Sequence, residues 1–155
     1  GSDKAARHPL HLISNQPLRR MHSQLDFGGP SQETKVAGRE PVVLNPGDAS
    51  SRGIGDGDIV RLFNDRGACL AGAVVTDRIR PGVVRLSTGA WLDPLDAGDI
   101  GSLEKHGNPN VLTVDKGSSK LAQSCIAQSA LVEVERYEAE APRLTAYDTP
   151  VIAAE

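Results

Sequence analysis

Apolar residues along this chain come in short runs, rich in valine, leucine and isoleucine, that glycine and proline repeatedly cut off. Six such runs predict strands: Leu10–Ser14, Pro41–Leu44, Ile59–Phe63, Cys69–Thr76, Val83–Ser87 and Leu131–Glu135. Asn64-Asp65-Arg66-Gly67 reads as a hairpin turn between the third and fourth, with Gly67 able to take positive φ. Arg80-Pro81-Gly82 is a second turn, ahead of the fifth. Asn45-Pro46-Gly47-Asp48-Ala49 has the signature of a short helix: Asn45 can cap it, Pro46 suits its first position, and Gly53 suits its end. Gly28 to Gly38 lacks a hydrophobic period and is expected to be a mobile loop. Beyond Tyr137 alanine, glutamate and proline take over, and residues 138–155 are expected to form a disordered tail with no core of its own. Six short strands with a few short helices predict a mainly-β domain closed into a barrel over residues 9–137. Residues 1–8 are expected to be an expression-vector remnant, Gly1-Ser2, and a linker.

Composition narrows the picture. At 155 residues there is room for one core. The hydrophobic fraction of 39% omits 16 glycines, and with them it reaches an ordinary globular level. A net charge of -3 gives no reason to expect a nucleic-acid or membrane partner, and 3% aromatic residues make a base-stacking surface unexpected. No apolar run is long enough to span a bilayer, and no signal peptide is visible. The two cysteines make neither a disulfide framework nor a metal pattern. Cys69, inside a strand, is expected to be a buried inert thiol, and Cys125 has nothing basic beside it in sequence to activate it.

The candidate chemistry lies in two small-polar segments that each abut an apolar run. One is Ser14-Asn15-Gln16-Pro17-Leu18-Arg19-Arg20-Met21-His22-Ser23-Gln24; the other is His106-Gly107-Asn108-Pro109-Asn110-Val111-Leu112-Thr113. Amides, hydroxyls and imidazoles offer donors and acceptors without fixed charge, which suits a large polar ligand better than bond-breaking. With Asp115-Lys116-Gly117-Ser118-Ser119-Lys120-Leu121-Ala122-Gln123, Glu40-Pro41-Val42-Val43-Leu44-Asn45-Pro46 and Arg52-Gly53-Ile54-Gly55-Asp56-Gly57-Asp58-Ile59-Val60, these segments resemble a known family. It is the C-terminal molybdopterin-dinucleotide-binding domain of the dimethyl sulfoxide reductase family, with biotin sulfoxide reductases first in likeness and trimethylamine-N-oxide reductases next. The likeness runs from about Pro9 to Tyr137 and implies a six-stranded double-psi β-barrel.

The resemblance also implies site residues: Asn15, Gln16, Arg20, His22, Ser23, Gln24, Asn108, Asn110, Ser118 and Gln123 as cofactor contacts, with an arginine balancing phosphate charge. Each has a plainer reading. Asn15 and Gln16 can form the turn ahead of Pro17, and His22, Ser23 and Gln24 can cap a helix start. Asn108 and Asn110 can close a proline-anchored turn, while Ser118 and Ser119 can cap a helix opening there. His106 has no second ligand at metal spacing, and Gly117-Ser118-Ser119-Lys120 lacks the spacing of a phosphate loop. Trp91 is expected in the core; Leu92 stands where the family often has tyrosine. Asp56 and Asp58 read as turn residues rather than a catalytic pair.

By resemblance the parent enzyme carries molybdenum on two molybdopterin guanine dinucleotides and removes oxygen from an S-oxide or N-oxide. The protein ligand to the metal comes from an upstream domain, so no catalytic or metal-ligating residue is expected in this chain. It is expected to hold the cofactor together with the remainder of the parent molybdoenzyme and to be inactive alone. The biotin sulfoxide likeness points to the cytoplasm, the trimethylamine-N-oxide likeness to the periplasm. Two other classes share the fold: a non-enzymatic interaction module, and a self-cleaving pyruvoyl decarboxylase, which would need processing at Gly101-Ser102 or Gly117-Ser118.

Overall fold

The six apolar runs become six strands that close on themselves. A computed structural model describes residues 2–124, 126 and 130–149; Cys125 lies outside the described residues. The strands are β1 (Leu10–Ile13), β2 (Pro41–Leu44), β3 (Ile59–Asn64), β4 (Gly67–Val75), β5 (Val83–Leu86) and β6 (Ala130–Arg136). They pair in the order β1-β5-β2-β4-β3-β6, and β6 returns to β1 to complete a closed barrel. Closure gives each of these six strands a neighbour on both sides. The inward residues include Leu10, Leu12, Val42, Leu44, Val60, Leu62, Val84, Leu86, Val132 and Val134, each 2% exposed or less. Burying one such side chain contributes roughly 1.5–3 kcal/mol. The thiol of Cys69 lies among them, fully buried as expected, and desolvation pushes its pKa well up.

β4 is buried through its middle: Val36 packs against Gly72, and Glu104 pairs the strand edge that β2 does not reach, the Leu70 amide donating to Glu104 O (2.8 Å) and the Glu104 amide to Ala68 O (3.1 Å). Of the short helices, α3 (Pro46–Ser50) forms as expected, with Asn45 Oδ1 accepting from the Gly47 amide at 3.0 Å. Three expectations change. Residues 3–7 form α1 (Asp3–Arg7), capped by Ser2 and tied to Asp65 by Arg7, rather than a linker. Gly28–Gly38 is not a bare loop: it contains α2 (Gly29–Gln32) and buries Ser31 and the Lys35 side chain. Residues 138–149 run back over the domain: Arg39 Nη2 donates to Pro142 O (2.8 Å), and the Thr145 amide to Asp93 Oδ2 (2.7 Å). α1 buries none of its residues, and polar contacts seat the other two segments, so no apolar period announces any of the three.

Topology brings the two polar segments together. β1 and β5 pair in parallel, Leu12 beside Val84, so the chain leaves both strands at the same end of the barrel. There the pairing continues past the strands: the Thr88 amide donates to Asn15 O (2.9 Å), and Ser87 Oγ to Asn15 Oδ1 (3.1 Å).

A polar groove over a buried charge cluster

Beneath this end of the barrel lies a balanced set of charges. Arg20 and Lys35 face Asp26 and Glu40, all four side chains 3% exposed or less. Lys35 Nζ lies 2.8 Å from Asp26 and 2.7 Å from Glu40; Arg20 Nη2 lies 3.1 Å from Glu40. Charges this deep persist only when paired and hydrogen-bonded. Burial pushes the Asp26 carboxyl up, but hydrogen bonds from Lys35 and the Trp91 amide outweigh it and hold it below the usual value. His106, fully buried, has its pKa lowered by desolvation and by the charge of Lys35. Its Nδ1 sits 2.9 Å from Trp91 O, a pure acceptor, so Nδ1 carries the proton and Nε2 faces Tyr147 Oη at 3.0 Å. Tyr147 has one proton for two acceptors, His106 Nε2 and Asp26 Oδ2 (2.9 Å), and desolvation raises its pKa.

Glu104 organises the second polar segment. Its carboxylate accepts from the amides of His106 (3.0 Å), Gly107 (2.7 Å) and Asn108 (2.8 Å), and from Asp93 (3.2 Å). Desolvation still outweighs these bonds and raises its pKa. Gly107 has a φ of +97°, and a Cβ there would sit 2.7 Å from Glu40 Cβ, so the turn requires glycine.

Above the cluster is a groove of about 460 Å³, lined by His22, Ser23, Thr88, Gly89, Ala90, Trp91, Leu92, Asn108 and Asn110. Both polar segments thus share one face. Its two walls touch through backbone: Gly89 has a φ of +92°, and a Cβ there would lie 2.0 Å from His22 O. Trp91 Nε1 donates to Ser23 O at 2.8 Å. The indole is half-buried between Phe27 and Tyr147 on the groove, not in the core, which corrects the packing expectation. A second groove of about 590 Å³ lies on the other side of the same loop and holds Asn15, Gln16, Arg20, Ser87 and the exposed Arg19 and Arg85.

The expected contacts therefore divide. His22, Ser23 and Asn110 are exposed on the first groove, and Asn15 and Gln16 line the second. Asn108 lines the first, yet its amide is committed: Nδ2 donates to Ala90 O (2.8 Å), and Oδ1 caps the 3-10 turn Pro109–Leu112. Arg20 is not a free cation for phosphate, since its side chain is buried among carboxylates and carbonyls. Gln24 is exposed but lines neither groove. Ser118 and Gln123 sit in neither as well; the expected helix is a loop in which Ser118 Oγ donates to Ala122 O (2.7 Å) and Gln123 Nε2 to Ser119 O (3.0 Å). Sequence reading passed over Arg85 and the Thr88–Ala90 wall. An arginine inside the apolar run Val83–Leu86 was the available signal for the first; backbone walls leave none.

A further depression of about 540 Å³, on the β3–β6 side, contains none of these residues, and its Arg61 and Glu135 pair at 2.7 Å. No group of histidine, cysteine and carboxylate side chains able to hold a metal occurs among the described residues. No helix among them is long and apolar enough to cross a membrane.

Comparisons with known proteins meet this geometry at several points. The chain is 53% identical over 152 residues to a trimethylamine-N-oxide reductase of Salmonella typhimurium, covering 97% of this chain and 18% of that protein. It is 46% identical over 145 residues to a dimethyl sulfoxide/trimethylamine N-oxide reductase of Cereibacter sphaeroides, covering 94% and 18%. The chain thus spans about 18% of the length of these relatives. Among solved structures, acetylene hydratase from Pelobacter acetylenicus superposes with a TM-score of 0.68 at 16% identity over 87% of this chain and 19% of that one, a likeness of fold. The model of the molydopterin dinucleotide binding domain matches residues 10–131, from the first strand of the barrel into its last and across both grooves, and the chain belongs to that family.

Proposed function

We propose that this domain closes one side of the site for a molybdopterin guanine dinucleotide cofactor within a larger molybdoenzyme that reduces an N-oxide or S-oxide. The observation that carries the reading is the pair of grooves flanking residues 15–24 at the barrel end where β1 and β5 emerge together. A dinucleotide has two heterocycles joined by a diphosphate. The residues here fit such a group: His22, Ser23 and Asn110 offer polar edges for a heterocycle, Asn15 and Gln16 add amides, and Arg19 and Arg85 supply cations for phosphate. When bound, the cofactor supplies oxygen-atom transfer and two-electron redox chemistry; these residues bind, orient and shield it from water. Asn108 and Arg20 act one layer below, by shaping the loops.

The remainder of the parent enzyme is the proposed partner. Leu18, Met21, Leu25 and Phe27, from 56% to 95% exposed, occur in the segment that forms the grooves, and a patch of this kind fits coverage by another domain. The double-psi wiring belongs to the same proposal, supported by the two parallel pairs, β1–β5 and β2–β4. We place the parent in the cytoplasm, with the periplasm as the alternative that cell fractionation distinguishes.

The test is an amide-shift titration of the chain with guanosine diphosphate, paired with molybdenum content of the parent enzyme. Shifts at His22, Ser23, Asn110 and Trp91, with His22→Ala or Asn110→Ala lowering cofactor retention roughly tenfold, are expected for a lost polar contact or two. Shifts confined to the Arg61–Glu135 depression, with full cofactor retention in both variants, would overturn the reading.

A further inference from the structure

We infer that Arg20 is a positioning residue whose guanidinium fork sets the spacing between the two walls of the groove. From beneath, Arg20 Nε donates to His22 O (3.1 Å) on one wall, and Nη2 to Thr88 O (2.9 Å) on the other. The third nitrogen, Nη1, donates to the buried Ser31 hydroxyl at 3.2 Å, and Asp26 and Glu40 lie 3.4 and 3.1 Å away. Each of the three nitrogens is thereby engaged, and the side chain is 1% exposed, so it does not reach a ligand in the groove. A lysine could keep the charge, but its one nitrogen cannot reproduce three separate donor nitrogens fixed in one plane and aimed at His22 O, Thr88 O and Ser31 Oγ. The inference rests on the proposed cofactor reading only for its effect on binding; the effect on the walls stands apart from it.

Arg20→Lys in the whole 155-residue chain tests the idea by amide hydrogen exchange and chemical shift. The Thr88 and Trp91 amides should exchange about tenfold faster, the loss of one charge-assisted hydrogen bond, with His22 and Ser23 shifting and the Leu62 and Leu70 amides keeping their protection. Thr88 and Trp91 exchange within about twofold of wild type, against the expected loss of a hydrogen bond, would overturn it. Guanosine diphosphate should bind the variant about tenfold more weakly while leaving the wild-type Arg20 Nε–H resonance in place. A large shift of that resonance on titration, with the walls unmoved in the variant, would make Arg20 a direct ligand and refute the inference. Failure of the nucleotide to bind wild type counts against the cofactor reading alone, and the exchange result still decides. If Arg20→Lys loses barrel protection, the wild-type chain suffices. There Arg20 Nε–H and the Thr88 amide should open together with one denaturant dependence, and independent opening overturns the inference.

Discussion

A single carboxylate, Glu104, holds a turn that nothing apolar could hold. It gathers three consecutive amides, from His106 to Asn108, and a fourth from Asp93 across the chain. Glu104→Gln keeps the size but sets an NH2 group against an N–H donor, so a loss of about 1–3 kcal/mol is expected by urea denaturation. Gly89 is the second sensitive position. Gly89→Ala places a methyl 2.0 Å from His22 O on a backbone at φ +92°, and should cost on the order of 1–3 kcal/mol and shift the Trp91 indole resonance. At this scale the sequence was legible where a residue type has few uses, as with Asn45 at its cap. It was misleading where one type serves two uses. Arginine can meet phosphate or bury itself among carboxylates, and only the positions of Asp26 and Glu40, remote in sequence, decide for Arg20.

Strands were readable because their burial is apolar and periodic; the returning segment 138–149 was not, because hydrogen bonds seat it. Thr145 bonds Asp93, Lys105 Nζ reaches Thr145 Oγ1 (2.9 Å), and Tyr147 enters the cluster between His106 and Asp26. The same cause hid α2, whose buried face is Ser31, and the loop at Ser118–Gln123, which satisfies its own polar groups. Tyr147→Phe keeps the ring against Trp91 but removes the hydroxyl whose one proton lies between the two acceptors. It should cost about 1–3 kcal/mol, the penalty of leaving buried polar atoms unpaired, and alter the fluorescence of the lone tryptophan. Unchanged stability would show that this segment seats by ring packing alone.

For the molecule as a whole, the buried groups set a dependence on pH. The folded-state pKa of His106 lies below the ordinary 6.5, so the unfolded chain takes up its proton first. Its contribution to stability is complete above about 6.5 and declines as pH falls from there toward the folded value. Asp26 and Asp93 are lowered too; their contributions hold above the ordinary 3.8 and are lost below it. Glu104 runs the other way: raised above 4.5, it favours the fold at low pH and loses that contribution as pH rises through its folded value. Below about pH 6.5 His106 therefore lowers the urea midpoint as pH falls while Glu104 opposes it. His106→Gln should remove the destabilising part, leaving midpoints between about pH 7.5 and 5.5 that fall less than in wild type. An unaltered slope in the variant would assign the loss to other groups.

Closure of the barrel by β1 on β6 also carries a consequence for synthesis. The first strand made finds its antiparallel neighbour only in the last, Leu10 beside Val132, and its parallel neighbour only at Val83. During translation the β3–β4 hairpin can pair as soon as it leaves the ribosome, whereas β1 waits with both edges open until β5 and then β6 emerge. A nascent chain stalled before Ala130 should thus present an unpaired β1 edge to chaperones, and one released beyond Arg136 should not.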